Sequence, residues 1–227
     1  MSELTAQAFL NDLEAQAIDP KRQQTAADDS YIGVRMGTVF SLAKAYIGMP
    51  LKEVEKLLDS PIHEVRVGAV SIMDYQARAK KTPVEQKKAL FDLYLRRHDR
   101  INTWDLVDRS AIYVVGGYLI DKPREILYKL AQHTSMAERR TAIVSTLYFI
   151  KQGELDDAFK IAALLFNDKQ ELILKAVGWA LRSAGDKDKQ QLLNFLNEHV
   201  GAMPRKLVRY ATEKLSKEEK KTLLLVA

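Results

Sequence analysis

Leu106-Val107-Asp108-Arg109-Ser110-Ala111-Ile112-Tyr113-Val114 decides how the chain is read. Val107, Ala111 and Val114 recur at the three-to-four-residue spacing of a helix face, with a small residue set among larger ones. The same arrangement returns at Ala69 in VRVGAVSIM, Ala142 in RRTAIVSTL, Ala176 in ILKAVGWAL and Ala211 in LVRYATEKL. In chain order these five alanines stand 42, 31, 34 and 35 residues apart. Periods of that length, with two helices each, mark HEAT-like solenoids. Each pair buries its stripe only against its neighbours, and stacking produces a superhelix with a concave face. An irregular bundle with alanines at its helix crossings is the alternative left open.

Outward from this frame, apolar periodicity predicts helices over 51–58, 63–78, 83–98, 104–120, 123–132, 136–151, 155–167, 169–183, 187–200 and 204–215. Upstream, Leu4, Phe9, Leu10 and Leu13 stripe a helix over 3–17. Residues 19–30 are polar, close on Asp28-Asp29-Ser30, and read as a loop or short irregular helix. Gly33 and Gly37 bracket a turn, and Thr38 is placed to cap a helix over 39–47. Strand-like alternation is missing, so the chain is expected to be all-α, a HEAT-like repeat superhelix (solenoid) with a concave basic face. One domain over 1–227 is expected, with repeats from about 50 to 215 and less regular helices over 1–48.

The 227 residues are 47% apolar and 29% charged, the balance of a soluble globular protein. There is no cysteine, which excludes disulfides, thiolate metal sites and a Cys nucleophile and suits a reducing cytosol. The first residues lack the basic and apolar regions of a secretory signal, and no apolar run approaches the roughly 18 residues of a membrane span. A cytoplasmic monomer without membrane contact is expected. The four histidines, at 63, 98, 133 and 199, show no metal-ligand spacing, and His98 and His133 read as surface or helix-end residues. Gly116-Gly117 breaks a helix and lacks the Lys-Ser/Thr of a phosphate loop. No metal or cofactor is expected.

Net charge is +5, a mild bias toward anionic partners. It concentrates on the second helix of each pair, at Arg66, Arg109, Arg139, Arg140, Lys175, Arg182, Arg205, Lys206 and Arg209. In a stacked array those helices line one surface, where the charges could converge on phosphates; a solvated helix face is the alternative. The run over 217–221 reads as a solvated end. Among these cations Trp104 and Asp108, four residues apart, share one helical face.

These residues suggest a family. Trp104-Asp105-Leu106-Val107-Asp108 resembles the Trp-Asp-x-Val-Asp motif of the bacterial HEAT-like-repeat DNA glycosylases, the AlkD family. Arg140-Thr141-Ala142-Ile143-Val144 resembles that family's Arg-x-Ala-Ile-Leu, and Lys175–Arg182 its Lys-Ala-Ile-Gly-Trp-x-Leu-Arg. The resemblance covers roughly residues 50–215. It implies that Asp108 is the catalytic carboxylate, that Trp104 and Trp179 pack on the sugar of the damaged nucleotide, and that Arg140 contacts the phosphate backbone. Arg139, Lys175, Arg182, Arg205 and Arg209 are the further candidates for backbone contact. It also implies a partner, alkylated double-stranded DNA, and a reaction: excision of N3- and N7-alkylated purines without metal and without flipping the base into a pocket. One segment departs from the pattern. Where family members carry a longer basic and aromatic helix, residues 20–31 are short and end in Asp28-Asp29-Ser30.

Read without the family, the same residues have plainer roles. Asn102 or Thr103 could cap a helix, Asp105 could serve its dipole, and Asp108 could pair with Arg109 or Arg139. The tryptophans could pack between repeats. Arg140, almost opposite Ala142 around its helix, is expected on the outer face. A DNA-binding relative with little or no excision and a protein-interaction solenoid are the competing functions.

Overall fold

The computed structural model describes residues 4–17 and 30–226, so the loop expected from 19 and the departure from the family pattern over 20–29 lie outside the described residues. Among the described residues the backbone is helices, turns and loops, with one isolated bridge between Ser30 and Ile62. The chain is all-α. Its helices fall into two compact units, Met1–Val114 and Val115–Ala227.

The first unit holds α1 (Ala6–Glu14), α2 (Met36–Ala45), α3 (Leu51–Leu58), α4 (His63–Arg78), α5 (Val84–Arg96) and α6 (Trp104–Ala111). Thr5 caps α1, its hydroxyl accepting from the Ala8 N–H at 3.2 Å. α1 buries Phe9 and Leu13, and Gly68 makes room on α4, where a Cβ would stand 2.3 Å from the Phe9 ring. α2 starts at Met36 with Arg35 as its N-cap and no side-chain cap, so Thr38 lies inside the helix rather than capping it. Gly33 adopts φ +84°, and its N–H and that of Ile32 both donate to the Glu64 carboxylate at the start of α4, at 2.9 and 3.2 Å.

α4 is the centre of this unit, packed by α2, α3 and α6. That explains one correction. Arg66, expected among the groove-lining cations, is fully buried, because α4 has neighbours on several sides and Arg66 falls among them.

The second unit holds α7 (Gly117–Leu119), α8 (Glu125–Ala131), α9 (Met136–Gln152), α10 (Asp156–Leu165), α11 (Glu171–Gly185), α12 (Lys189–His199), α13 (Arg205–Ala211) and α14 (Lys217–Val226). α8 pairs with α9 and α10 with α11, while the second helices α9, α11 and α13 pack in succession. All five register alanines are buried. Gly153 ends α9 at φ +90°, and the Glu154 N–H turns back to the Phe149 carbonyl at 3.0 Å. The helix expected over 104–120 is not uniform: a π-helical segment, Ile112–Gly116, follows α6. Gly116 does not break it, since a Cβ there would lie 2.2 Å from the Ser145 carbonyl oxygen and glycine admits the α9 backbone.

The run over 217–221, expected as a solvated end, opens α14 with Lys217, Glu218 and Lys221 exposed. Ser216 and Glu219 form a reciprocal capping box, Ser216 N–H to the carboxylate at 2.9 Å and Glu219 N–H to the hydroxyl at 3.2 Å. Among the described residues no helix is long and apolar enough to cross a membrane.

Candidate nucleic-acid site

The start of α6 is fixed by Asp105, whose place in the first turn by itself predicts no more than service to the helix dipole. Thr103 is the N-cap, but its hydroxyl donates to Asp105 Oδ1 at 2.6 Å instead of capping the backbone. Asp105 Oδ2 lies 2.6 Å from Nε2 of His63, at the start of α4. Burial would raise the Asp105 carboxyl, yet the bonds from His63 and Thr103 outweigh it and hold it below the ordinary value. His63 is itself buried, with its ring 5.0 Å from that of Tyr31.

Trp104, the first residue of α6, is 49% exposed. It lines an apolar cavity of about 540 Å³ together with Tyr31, Met36, Phe40 and Val67; His63, Asp105 and Arg109 supply its polar side. Arg109 is anchored away from Asp108: Nε donates to Ser71 Oγ at 2.8 Å, Nη1 is 3.1 Å from Asp74 Oδ2, and the guanidinium sits 4.7 Å from the Phe40 ring. Asp74 is fully buried, and that burial pushes its carboxyl up despite the arginines at 78 and 109. Asp108 follows Trp104 by one turn and is half-buried.

In the second unit, Trp179 lies half-buried on α11 and Lys175 is exposed one turn before it. Arg140 is a correction. It is 4% exposed, not on an outer face, and its Nη1 donates to the Leu172 carbonyl. α9 is flanked by α8, α10 and α11, so the side opposite Ala142 is covered as well. Arg139 is likewise turned inward, donating to Asp168 at 2.6 and 3.2 Å and to the carbonyls of His133 and Thr134 at 3.0 and 2.7 Å. It clamps the loops before α9 and α11. Arg182 joins α11 to α13 through Glu213 and the Tyr210 carbonyl.

Arg205 and Arg209 are exposed on α13. Lys206 and Lys175 share Glu171, at 2.9 and 3.2 Å, and these ammoniums with the Tyr210 hydroxyl hold the Glu171 carboxyl at about 2. His98, expected as a surface or cap residue, is buried with its ring edge-on to Tyr94 at 5.1 Å. Among the described residues no three His, Asp or Glu side chains converge as a metal would require. The Asp105–His63 bond spans 42 residues and leaves no local signal in the sequence, and no motif there ties Tyr31 and Phe40 to the cavity they line.

Known proteins agree with this architecture. A solved structure of a predicted DNA alkylation repair enzyme from Enterococcus faecalis is similar over 84% of this chain and 90% of that one, with a TM-score of 0.67 and 18% identity. At that identity the likeness concerns the fold. No curated protein matches the chain. A family model described as DNA alkylation repair enzyme matches residues 6–215, nearly the whole sequence. The chain therefore belongs to the DNA alkylation repair enzyme family.

Proposed function

We propose that the chain removes cationic N3- and N7-alkylated purines from double-stranded DNA by hydrolysing the N-glycosidic bond, with Asp108 as the catalytic carboxylate. The observation that carries the reading is the start of α6, where a half-exposed indole and a carboxylate one turn later are offered on a helix locked in place by Asp105 and His63. An alkylated purine is already positively charged and leaves readily. Breaking its bond to the sugar builds oxocarbenium charge, as in glycoside hydrolysis. Asp108 stabilises that charge and orients water. The Trp104 and Trp179 faces pack on the sugar, each contributing about 0.5–2 kcal/mol of cation–π attraction.

Lys175, Arg205 and Arg209, exposed on α11 and α13, are assigned to the phosphate backbone, where contacts fix register without reading sequence. Arg139, Arg140 and Arg182 hold the helices from which those cations project, and they reach phosphate only by giving up bonds within the protein.

Release of 7-methylguanine from methylated duplex DNA tests the reading. Asp108→Asn is expected to lower release by about a hundredfold or more, with circular dichroism checking its fold. No release by wild-type protein in excess over DNA overturns the enzymatic reading, and a salt-independent or absent affinity for duplex DNA overturns the DNA partner as well.

A further inference from the structure

We infer that the cavity beside Trp104 receives an unmodified, uncharged nucleobase freed from pairing. The inference rests on the DNA reading above and goes beyond it, because a base-holding cavity is not among the features the family resemblance implied. At about 540 Å³ the cavity falls within the range of small-molecule sites, roughly 300–1,000 Å³. It is reachable from solvent, since Trp104 and Met36 are 49% and 38% exposed. Its walls are Tyr31, Phe40 and Trp104, flat aromatic faces on which any base can stack. Thr103, His63 and Arg109 lie on its polar side, where a base presents its hydrogen-bonding edge.

Charge selects the base. The Arg109 guanidinium lines the cavity, so a cationic alkylpurine would meet a like charge there while a neutral base would not. The nearby carboxylate, Asp105, is committed to His63 and Thr103. Helix geometry separates this place from the chemistry. Asp105 and Arg109 stand roughly 100° around α6 from Trp104 and Asp108, and Asp108 does not line the cavity. The leaving purine stays at the Asp108 flank, and the cavity holds a base that the opened duplex leaves unpaired.

The test compares the full-length protein on a fully paired duplex and on one with a single unpaired thymine, which has no pairing to give up. Binding to the second is expected to be about tenfold tighter, the effect of one stacked base. 5-Iodouracil at the unpaired position is expected to crosslink to Tyr31, Phe40 or Trp104, located by mass spectrometry. Met36→Trp, which fills the mouth, should bring the affinity ratio to about one; circular dichroism checks its fold, and the wild-type crosslink decides the matter if it misfolds. Equal affinity for the two duplexes, crosslinking outside the cavity, or an unchanged ratio in a folded Met36→Trp overturns this inference alone. No binding to either duplex at low salt overturns the DNA reading and this inference with it.

Discussion

α6 and α11 occupy the same place in their repeats and present their tryptophans differently. Each is a second helix with its register alanine buried, Ala111 and Ala176, and each opens on an acid in the first turn, Asp105 and Glu171. Trp104 is the first residue of α6 and half-exposed, whereas Trp179 follows Ala176 by three residues and is half-buried beside Gly178, a position packed against α13. The first-turn acids differ as well. Asp105 is drawn inward to a buried histidine, while Glu171 reaches outward to two lysines and a tyrosine. A repeat thus specifies where a helix packs, and the residues at its open end decide whether it carries a site.

The largest expected effect tests the packed helix. Gly178→Ala places a Cβ 2.3 Å from Cβ of Tyr210, where α13 seats on α11. Overpacking of that kind costs about 1–3 kcal/mol, to be read as a lower urea midpoint. An unchanged midpoint would mean that α13 shifts without loss and that the contact does not set the spacing of the two helices.

The corresponding change on α6 acts through charge. Asp105→Asn removes the ionised partner of His63 and is expected to destabilise the protein by about 1–2 kcal/mol at neutral pH. The Asp105 carboxyl is held below its ordinary value in the folded state. Its contribution is therefore complete above the unfolded value of about 4 and disappears as pH falls through the lower folded value. Thermal melts of the two proteins should differ at pH 7 and converge in strong acid; a gap independent of pH would assign the loss to packing instead.

The tryptophans separate site from scaffold. Trp104→Ala should lower the melting temperature less than Trp179→Ala does and slow base release by about thirtyfold, the upper end of one cation–π contact. Trp179→Ala should lower both, because its indole is more deeply packed. Equal losses of stability in the two variants would erase the contrast between the helices.

The repeat was legible because close helix packing demands a small residue at a fixed register, and one such position per repeat survives in the sequence as Ala69, Ala111, Ala142, Ala176 and Ala211. Arg66 and Arg140 were misplaced for a related reason. A helical-wheel argument assumes one buried face, but α4 and α9 each have neighbours on several sides. The cap at Thr38 failed because α2 begins at Met36, three residues earlier than expected, without a side-chain cap. The π-helical segment at Ile112–Gly116 depends on how near the α9 backbone comes, which no local pattern records. The motif positions Trp104 and Asp108 were legible, and the Asp105–His63 bond beneath them was not.

The smallest expected effect returns to the outward-facing acid of α11. Glu171 sits between Lys175 and Lys206 on the exposed surface, so any phosphate approaching those lysines competes with a carboxylate already in place. The exposed pairs contribute little to stability, and Glu171→Gln is expected to melt at the wild-type temperature. It removes the competing charge, and duplex affinity at low salt should rise by about threefold, with a steeper dependence of log K on log salt because two more cations exchange counterions fully. Asp105→Asn should give no such gain, since the acid of α6 holds a buried histidine and not a surface lysine. A Glu171→Gln variant with unchanged affinity and salt slope would place the DNA path away from Lys175 and Lys206, leaving Arg205 and Arg209 as the phosphate contacts of that unit.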